Sequence, residues 1–316
     1  MTPLPPLPTG LQPYAAAIDA HLHQPTAWFV PINKLASSPA QSKIGGYPYL
    51  PLNAPNPLVD TDGQHRYNLL MQLNLADLPA PRPPHFPAQG LLQFFAGDFS
   101  AVMDDEPSPM HCVYHPTIAT DAAALVTDFS AYPITSLEGY EDVPAEGGAV
   151  SFKSLTYNRV EPGDFYGDLG YLFTDVADAD ERAQLQAALT DYFEAYNEAV
   201  PETEPEWTEE VQAQYPVGEY DQPLFQSPLS YSGFSIPDHQ LGGFISQFWQ
   251  GDPRPPGDED SSQPHYNQLL LAYDARGNCT EYAVPFLGQD AKLLLYINRD
   301  ELARGNFSDL LYSWMP

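Results

Sequence analysis

Two distant stretches of this chain present the same features in the same order, and that echo constrains the fold more than any single motif. Gly45-Gly46-Tyr47 is followed, 21 residues after Gly46, by the run YNLLMQLNLADL, which begins at Tyr67; GLLQFFAGD then begins at Gly90. Gly242-Gly243-Phe244 is followed, 23 residues after Gly243, by YNQLLLAYDA from Tyr266, and KLLLYINRDEL then begins at Lys292. Each copy reads Gly-Gly-aromatic, a proline-bearing loop, a Tyr-Asn-opened apolar run and a second apolar run. Two copies are fewer than the three a solenoid needs. The expectation is a duplicated α+β unit, with half-repeats over about 42–100 and 238–314, whose β-rich halves share one core.

The apolar runs are short and bounded by Gly, Pro, Asn and Asp, which favours strands over helices although leucine itself favours helix. Gln72 and Gln93 interrupt two of these runs. Each must face solvent or be hydrogen-bonded in the core, because a buried unpaired amide is costly. A strand is expected over residues 28–32, with Pro31 suggesting an edge position. Residues 13–23 form a short helix in this reading, with Leu11, Tyr14, Ile18 and Leu22 at helical spacing. Residues 1–12 are expected to be a flexible proline-rich tail, leaving 13–316 as one domain. Proline reaches 35 of 316 residues, about double ordinary usage, so the fold should be ordered but rich in loops.

The strongest helix signal lies between the copies. Asp178 or Asp180 offers an N-cap, and Leu185, Leu189, Tyr192, Phe193, Tyr196 and Val200 make one apolar face ending before Pro201. Residues 161–221 carry seventeen acids and one base, Arg182. This acidic helical insert is read either as a solvated face or as a contact surface.

Charge narrows the function classes. With 42 Asp and Glu against 12 Lys and Arg, the formal charge is −30. Such a surface repels phosphates and anionic lipid headgroups, so neither a nucleic acid nor a membrane is an expected partner. A basic protein is. Cys112 and Cys279 fit neither a metal spacing nor a disulfide framework. The start MTPLPPLPTGLQPY has no base before Lys34 and is broken by prolines, and no run approaches the ~18 apolar residues of a membrane span. A cytoplasmic location is expected.

Candidate chemistry is sparse. The pairs Gly45-Gly46 and Gly242-Gly243 could cradle an anion, with Lys43 beside the first, but neither belongs to a recognised phosphate loop. A tight turn with positive φ is the simpler account. His111 and His115 sit four apart in an expected strand, ~13 Å from one another and too far for one metal, and His21-x-His23 lacks a third ligand. No metal and no cofactor is expected. Asp252 and Arg254 read as turn and salt-bridge residues, and no GxSxG nucleophile signal occurs.

The motifs SKIGGYPYLP at 42–51, LLMQLNLADLP, and FPAQGLLQFF resemble the first-half pattern of the YwqG-like family of uncharacterised bacterial proteins. The stretch HQLGGFISQFWQGDPR at 239–254 is similar to that family's His-x-Leu-Gly-Gly segment, which runs on to a Gln and an Asp. NFSDLLYSW at 306–314 resembles its ending. The likeness covers roughly 28–92 and 238–314. It departs at Phe244-Ile245, where the family often places a proline two residues after Gly-Gly. The resemblance implies a soluble, internally duplicated α+β protein with no established activity or catalytic residue, some of whose relatives keep genomic company with toxin-neutralising proteins.

Two functions are therefore expected. The first is a non-enzymatic protein-binding module, of an immunity type that neutralises a basic toxin or enzyme through residues 161–221. The alternative is a small-ligand-binding protein or enzyme using a cleft between the halves. Its candidate residues are Lys43, Gly45, Gly46, Gln72, Gln93, His239, Gly242, Gly243, Gln247, Asp252 and Arg254.

Overall fold

The apolar runs fold as strands because both of their faces are covered. In the third strand, Asn68–Asn74, every residue but the last is buried, and in the fourth, Leu91–Ala96, every residue is. Two-sided burial removes the need for alternation and tolerates leucine in a strand. The computed structural model describes residues 5–22, 25–59, 66–97, 110–131, 145–156, 170–173, 176–199, 239–243, 265–274 and 292–315. The strands are β1 (Pro25–Leu35), β2 (Lys43–Ile44), β3 (Asn68–Asn74), β4 (Leu91–Ala96), β5 (Met110–His115), β6 (Gly148–Thr156), β7 (His239–Leu241), β8 (Gln268–Asp274), β9 (Lys292–Ile297) and β10 (Leu311–Met315). The helices are α1 (Ala15–Leu22), α2 (Ala179–Ala199) and α3 (Arg299–Arg304). The protein is of mixed α+β class and β-rich.

The strands pair antiparallel in the order β10-β9-β8-β7-β1-β6-β2-β3-β4-β5. Read outward from the β1–β6 pair, one flank is β2 to β5 and the other β7 to β10. Each flank is joined to the centre by the first strand that precedes the other: β6 pairs β2, and β1 pairs β7. The flanks match in detail. The Gly45 N–H donates to the Leu70 carbonyl at 2.9 Å, and the Gly242 N–H to the Leu270 carbonyl at 3.4 Å. Register slips between Leu69 and Met71 on one side and between Leu269 and Leu271 on the other. These anchors make Tyr67 equivalent to Asn267, one residue away from the Tyr67–Tyr266 match in the sequence.

Pro31 corrects one expectation. It lies in a central strand rather than at an edge, paired to Val150 of β6. The missing N–H is accommodated because regular register ends there, before the shift to Leu35, and the pairing to β7 covers only Ala27 and Trp28.

The ladder folds back so that the flanks share a core. Ile44, Met71 and Phe94 from one flank, Leu241, Leu271 and Leu295 from the other, and Phe29 and Val150 from the central pair form a single buried cluster. The free ends of the ladder approach each other: the Tyr114 ring of β5 lies 5.1 Å from that of Phe307, which precedes β10. The Tyr114 hydroxyl donates to the Gln89 carbonyl at 2.8 Å.

A second cluster joins the N-terminus to α2. Leu11, Ile18 and Leu22 pack with Phe173, Leu189, Phe193 and Tyr196. Asp178 caps α2, its Oδ1 accepting from the N–H groups of Asp180 and Glu181, both at 2.9 Å. The expected tail is shorter than twelve residues. Thr9–Tyr14 form a 3-10 turn, and Leu11 is fully buried because α2 offers it an apolar face. Val200 lies outside the described residues.

Close backbone approach explains the glycine pairs. Gly46 has φ +75° and Gly243 has φ +78°. A Cβ on Gly46 would overlap the Gly147 nitrogen and stand 2.7 Å from the Ala145 carbonyl oxygen. A Cβ on Gly243 would overlap the Thr26 hydroxyl. Both corners are pressed against the central strands. Gly46→Ala therefore meets rigid backbone as well as an unfavourable φ, and urea unfolding should show a loss above about 2 kcal/mol. A change under about 0.5 kcal/mol would show that the corner is not tightly packed.

Candidate functional site

The polar residues of the first flank gather on one face of the sheet. Lys43 pairs with Gln72, Gln72 with Gln93 and Gln93 with Val113, so these side chains stand in one row across β2 to β5. Next to that row, Leu50, Leu58, Leu69, Phe95 and Phe129 form a buried cluster that includes residues of the connecting segments. The segment after Gly46 crosses the row, and its main chain meets the side chains beneath.

Gln72 is fully buried with all its hydrogen-bonding capacity used. Its Oε1 accepts from the Tyr49 N–H at 2.9 Å and from Gln93 Nε2 at 2.8 Å. Its Nε2 donates to the carbonyls of Pro39 at 2.7 Å and Gln41 at 2.8 Å. The main-chain partners fix the amide orientation, since carbonyls only accept and the Tyr49 N–H only donates. Gln93 Nε2 also donates to the Tyr49 carbonyl at 2.8 Å. One amide thus binds the N–H of Tyr49 and the other its C=O. Gln93 Oε1 then remains for His115 Nε2 at 3.0 Å, which makes that nitrogen the donor. Burial lowers the His115 pKa, in keeping with a neutral ring.

Tyr49 is itself buried. Its ring meets His115 edge-on at 5.2 Å, and its hydroxyl accepts from the Ala119 N–H at 2.7 Å. Tyr47 stacks on Phe129 at 4.4 Å. Ser42, just before β2, donates to Asp77 Oδ2 at 3.2 Å and accepts from the Asn74 N–H at 2.8 Å. Tyr49 and Ser42 were not among the sequence candidates, and His115 was weighed there only as a metal ligand. The alternation His111, Val113, His115 within β5 carried the signal for His115, since it puts that residue on the face of Gln93.

Lys43 is 3 % exposed, and its Nζ donates to the Tyr47 carbonyl at 2.6 Å. Burial pushes its pKa down from 10.5 to about 8, with the charge of Glu146 acting in the opposite direction.

The second flank is built differently at the equivalent positions. The shared register puts Gln240 where the first flank has Lys43, Ala272 where it has Gln72, and Leu294 where it has Gln93. His239 is buried between Phe29, at 5.4 Å, and Tyr273, at 4.7 Å, both near-parallel to its ring. Gly242 packs against Pro83 and Phe86 of the β3–β4 connection; a Cβ there would stand 2.9 Å from Pro83. Lys43, Gly45, Gly46, Gln72 and Gln93 are therefore neighbours, while His239, Gly242 and Gly243 belong to the other corner. Gln247, Asp252 and Arg254 lie outside the described residues. Among the described residues, no group of three or more His, Cys, Asp or Glu could hold a metal ion. Burial raises the pKa of the Cys112 thiol, which works against thiolate chemistry.

Two outcomes follow from this geometry. Gln72→Leu removes the acceptor of the Tyr49 N–H and the donor to two carbonyls, and should cost about 2–4 kcal/mol in denaturant unfolding; a loss below about 1 kcal/mol would show that water replaces it. For Lys43, the folded pKa lies below the unfolded one. The charge penalty is present in full below about pH 8, and the unfolded state holds the extra proton between about pH 8 and 10.5. Wild-type stability relative to Lys43→Met should therefore rise between about pH 7 and pH 10, by up to about 3 kcal/mol. A flat difference would remove the burial argument.

Comparison with known proteins assigns the family and nothing finer. No curated protein matches the chain. Residues 42–315 match the family described as a domain of unknown function, DUF1963, and that span takes in both flanks and α2. The chain belongs to the DUF1963 family.

Proposed function

We propose that this protein is a non-catalytic binding module that docks a basic protein through its acidic insert, residues 161–221, of which α2 is the longest described part. The observation that carries this reading is the division of labour on α2. Leu189, Phe193 and Tyr196 are buried against the N-terminal elements. Asp178, Asp180, Glu181, Asp191, Glu194 and Glu198 are all exposed. Arg182, the base of this segment, turns Nη2 to the Val176 carbonyl at 2.7 Å. Asp180, Asp191, Glu194 and Glu198 fall on the side of the helix opposite the packed stripe. Like charges at helical spacing repel mildly, and a cationic partner would relieve that repulsion.

The first-flank polar row favours a surface over a buried ligand site. Lys43, Gln72 and Gln93 all bond the main chain of the crossing segment, and the glycine corners pack against the central strands. Under this reading the flanks are two copies of one unit, the protein belongs with the YwqG-like proteins, and it works in the cytoplasm as a neutraliser of a basic toxin or enzyme.

Native mass spectrometry of protein gently purified from its own host at low salt tests the proposal. A co-purifying basic protein that dissociates as salt rises is the expected result. The combined variant Asp180→Asn, Asp191→Asn, Glu194→Gln, Glu198→Gln should then weaken that association at least about tenfold at low salt. Affinity indifferent to salt and to these substitutions would overturn the reading. A bare monomer, or an added small-molecule mass, would shift the weight to the ligand-binding alternative.

A further inference from the structure

The connectivity gives neither flank a ladder of its own. The chain enters through β1, builds β2 to β5, returns to the centre as β6 and then builds β7 to β10. Yet β1 pairs with β7, and β6 pairs with β2. The links are short. β2 has two residues and is held between β3 and β6. β7 has three and is held between β8 and β1. Both glycine corners lie at these links, Gly46 against Gly147, just before β6, and Gly243 against Thr26 of β1. Detaching the β6–β10 sequence would strip β2 of one neighbour, leave β1 with none, and expose Phe29, Ile44, Met71 and Phe94 of the shared cluster. Detaching β1–β5 would do the same to β6 and β7.

Two cross-contacts add to this. Pro83 and Phe86, from the β3–β4 connection, cover Gly242 of the second flank. Tyr114 of β5 covers Gly305, where a Cβ would stand 2.9 Å from its ring, and packs on Phe307.

We infer that this reciprocal exchange makes the flanks one cooperative unit, a clasp in which neither half opens while the other stays closed. Proteins commonly open in separable parts that follow supersecondary units; here the two most obvious units lack independent edges. A contact on one flank then shifts the stability of the other, whichever surface a partner uses.

Native-state hydrogen exchange on the full chain, at graded low urea, tests this. Strand amides of β3 and β4 and those of β8 and β9 should converge on one opening transition with the same urea dependence. In Leu271→Ala, which trims the second flank's share of the core, exchange of the β3 and β4 amides should accelerate by the same factor as that of β9, within about twofold. If either flank exchanges through an opening that leaves the other protected, or if Leu271→Ala accelerates the second flank alone, the clasp is disproved. The wild-type measurement decides the matter even where the variant does not fold.

Discussion

Everything else in this fold rests on how closely the two glycine corners approach the central strands. Gly46 lies where its Cβ would overlap Gly147, and Gly243 where its Cβ would overlap Thr26. A side chain at either corner would push a flank away from the strand that joins it to the other half. Because β2 and β7 are two and three residues long, the packing of these corners adds to a short pairing at each junction. Once the corners close, the β1–β6 pair stands at the centre, the ladder folds back, and Phe29, Met71, Leu241 and Leu295 can bury one another in a single cluster.

Within that shared frame the flanks divide polar and apolar roles. The first places Lys43, Gln72 and Gln93 in a row and commits them to the main chain of Tyr47 and Tyr49. Those bonds pin the crossing segment over the sheet, much as a peptide is held through its backbone, and they leave the amide groups of Gln72 fully engaged. The second flank has Gln240, Ala272 and Leu294 in the same register, and Leu269, Ala272, Leu294 and Tyr296 form an apolar cluster there. Buried polar groups fix one arrangement because any slip would leave them unpaired; this register holds Lys43, Gln72 and Gln93 on the first flank and Gln240 on the second. The asymmetry makes the first flank the more specifically determined of the two.

The charge of the chain follows a separate logic. The helix α2 uses one side to bury Leu11 and Ile18 and directs its carboxylates outward. Its position depends on apolar contact and on the Asp178 cap. The acidic face is thus carried on a helix packed through its other side, the arrangement on which the proposed docking of a cationic partner rests.

The sequence alone determined β3, β4, β8 and β9, because short apolar runs bounded by Gly, Pro and Asn have few alternatives, whereas β2, β6, β7 and β10 carried no such signal. It also determined α2, with Asp178 or Asp180 as its cap, and the demand that Gln72 and Gln93 find partners if buried; the structure chose Asp178. The paired echo aligned Tyr67 with Tyr266, whereas the strand registers make Tyr67 equivalent to Asn267. The slips at Leu70 and Leu270, which fix that equivalence, depend on neighbouring strands and leave no mark in composition. Pro31 suggested an edge, yet only the tertiary pairing decided which strand lies beside β1, and the Pro31–Leu35 irregularity there spares the missing donor. The choice of partners for the two amides, the exchange of first strands and the burial of Leu11 were decided in the same way. Each depends on segments far apart in the chain being brought together, and local propensity says nothing about contacts of that range.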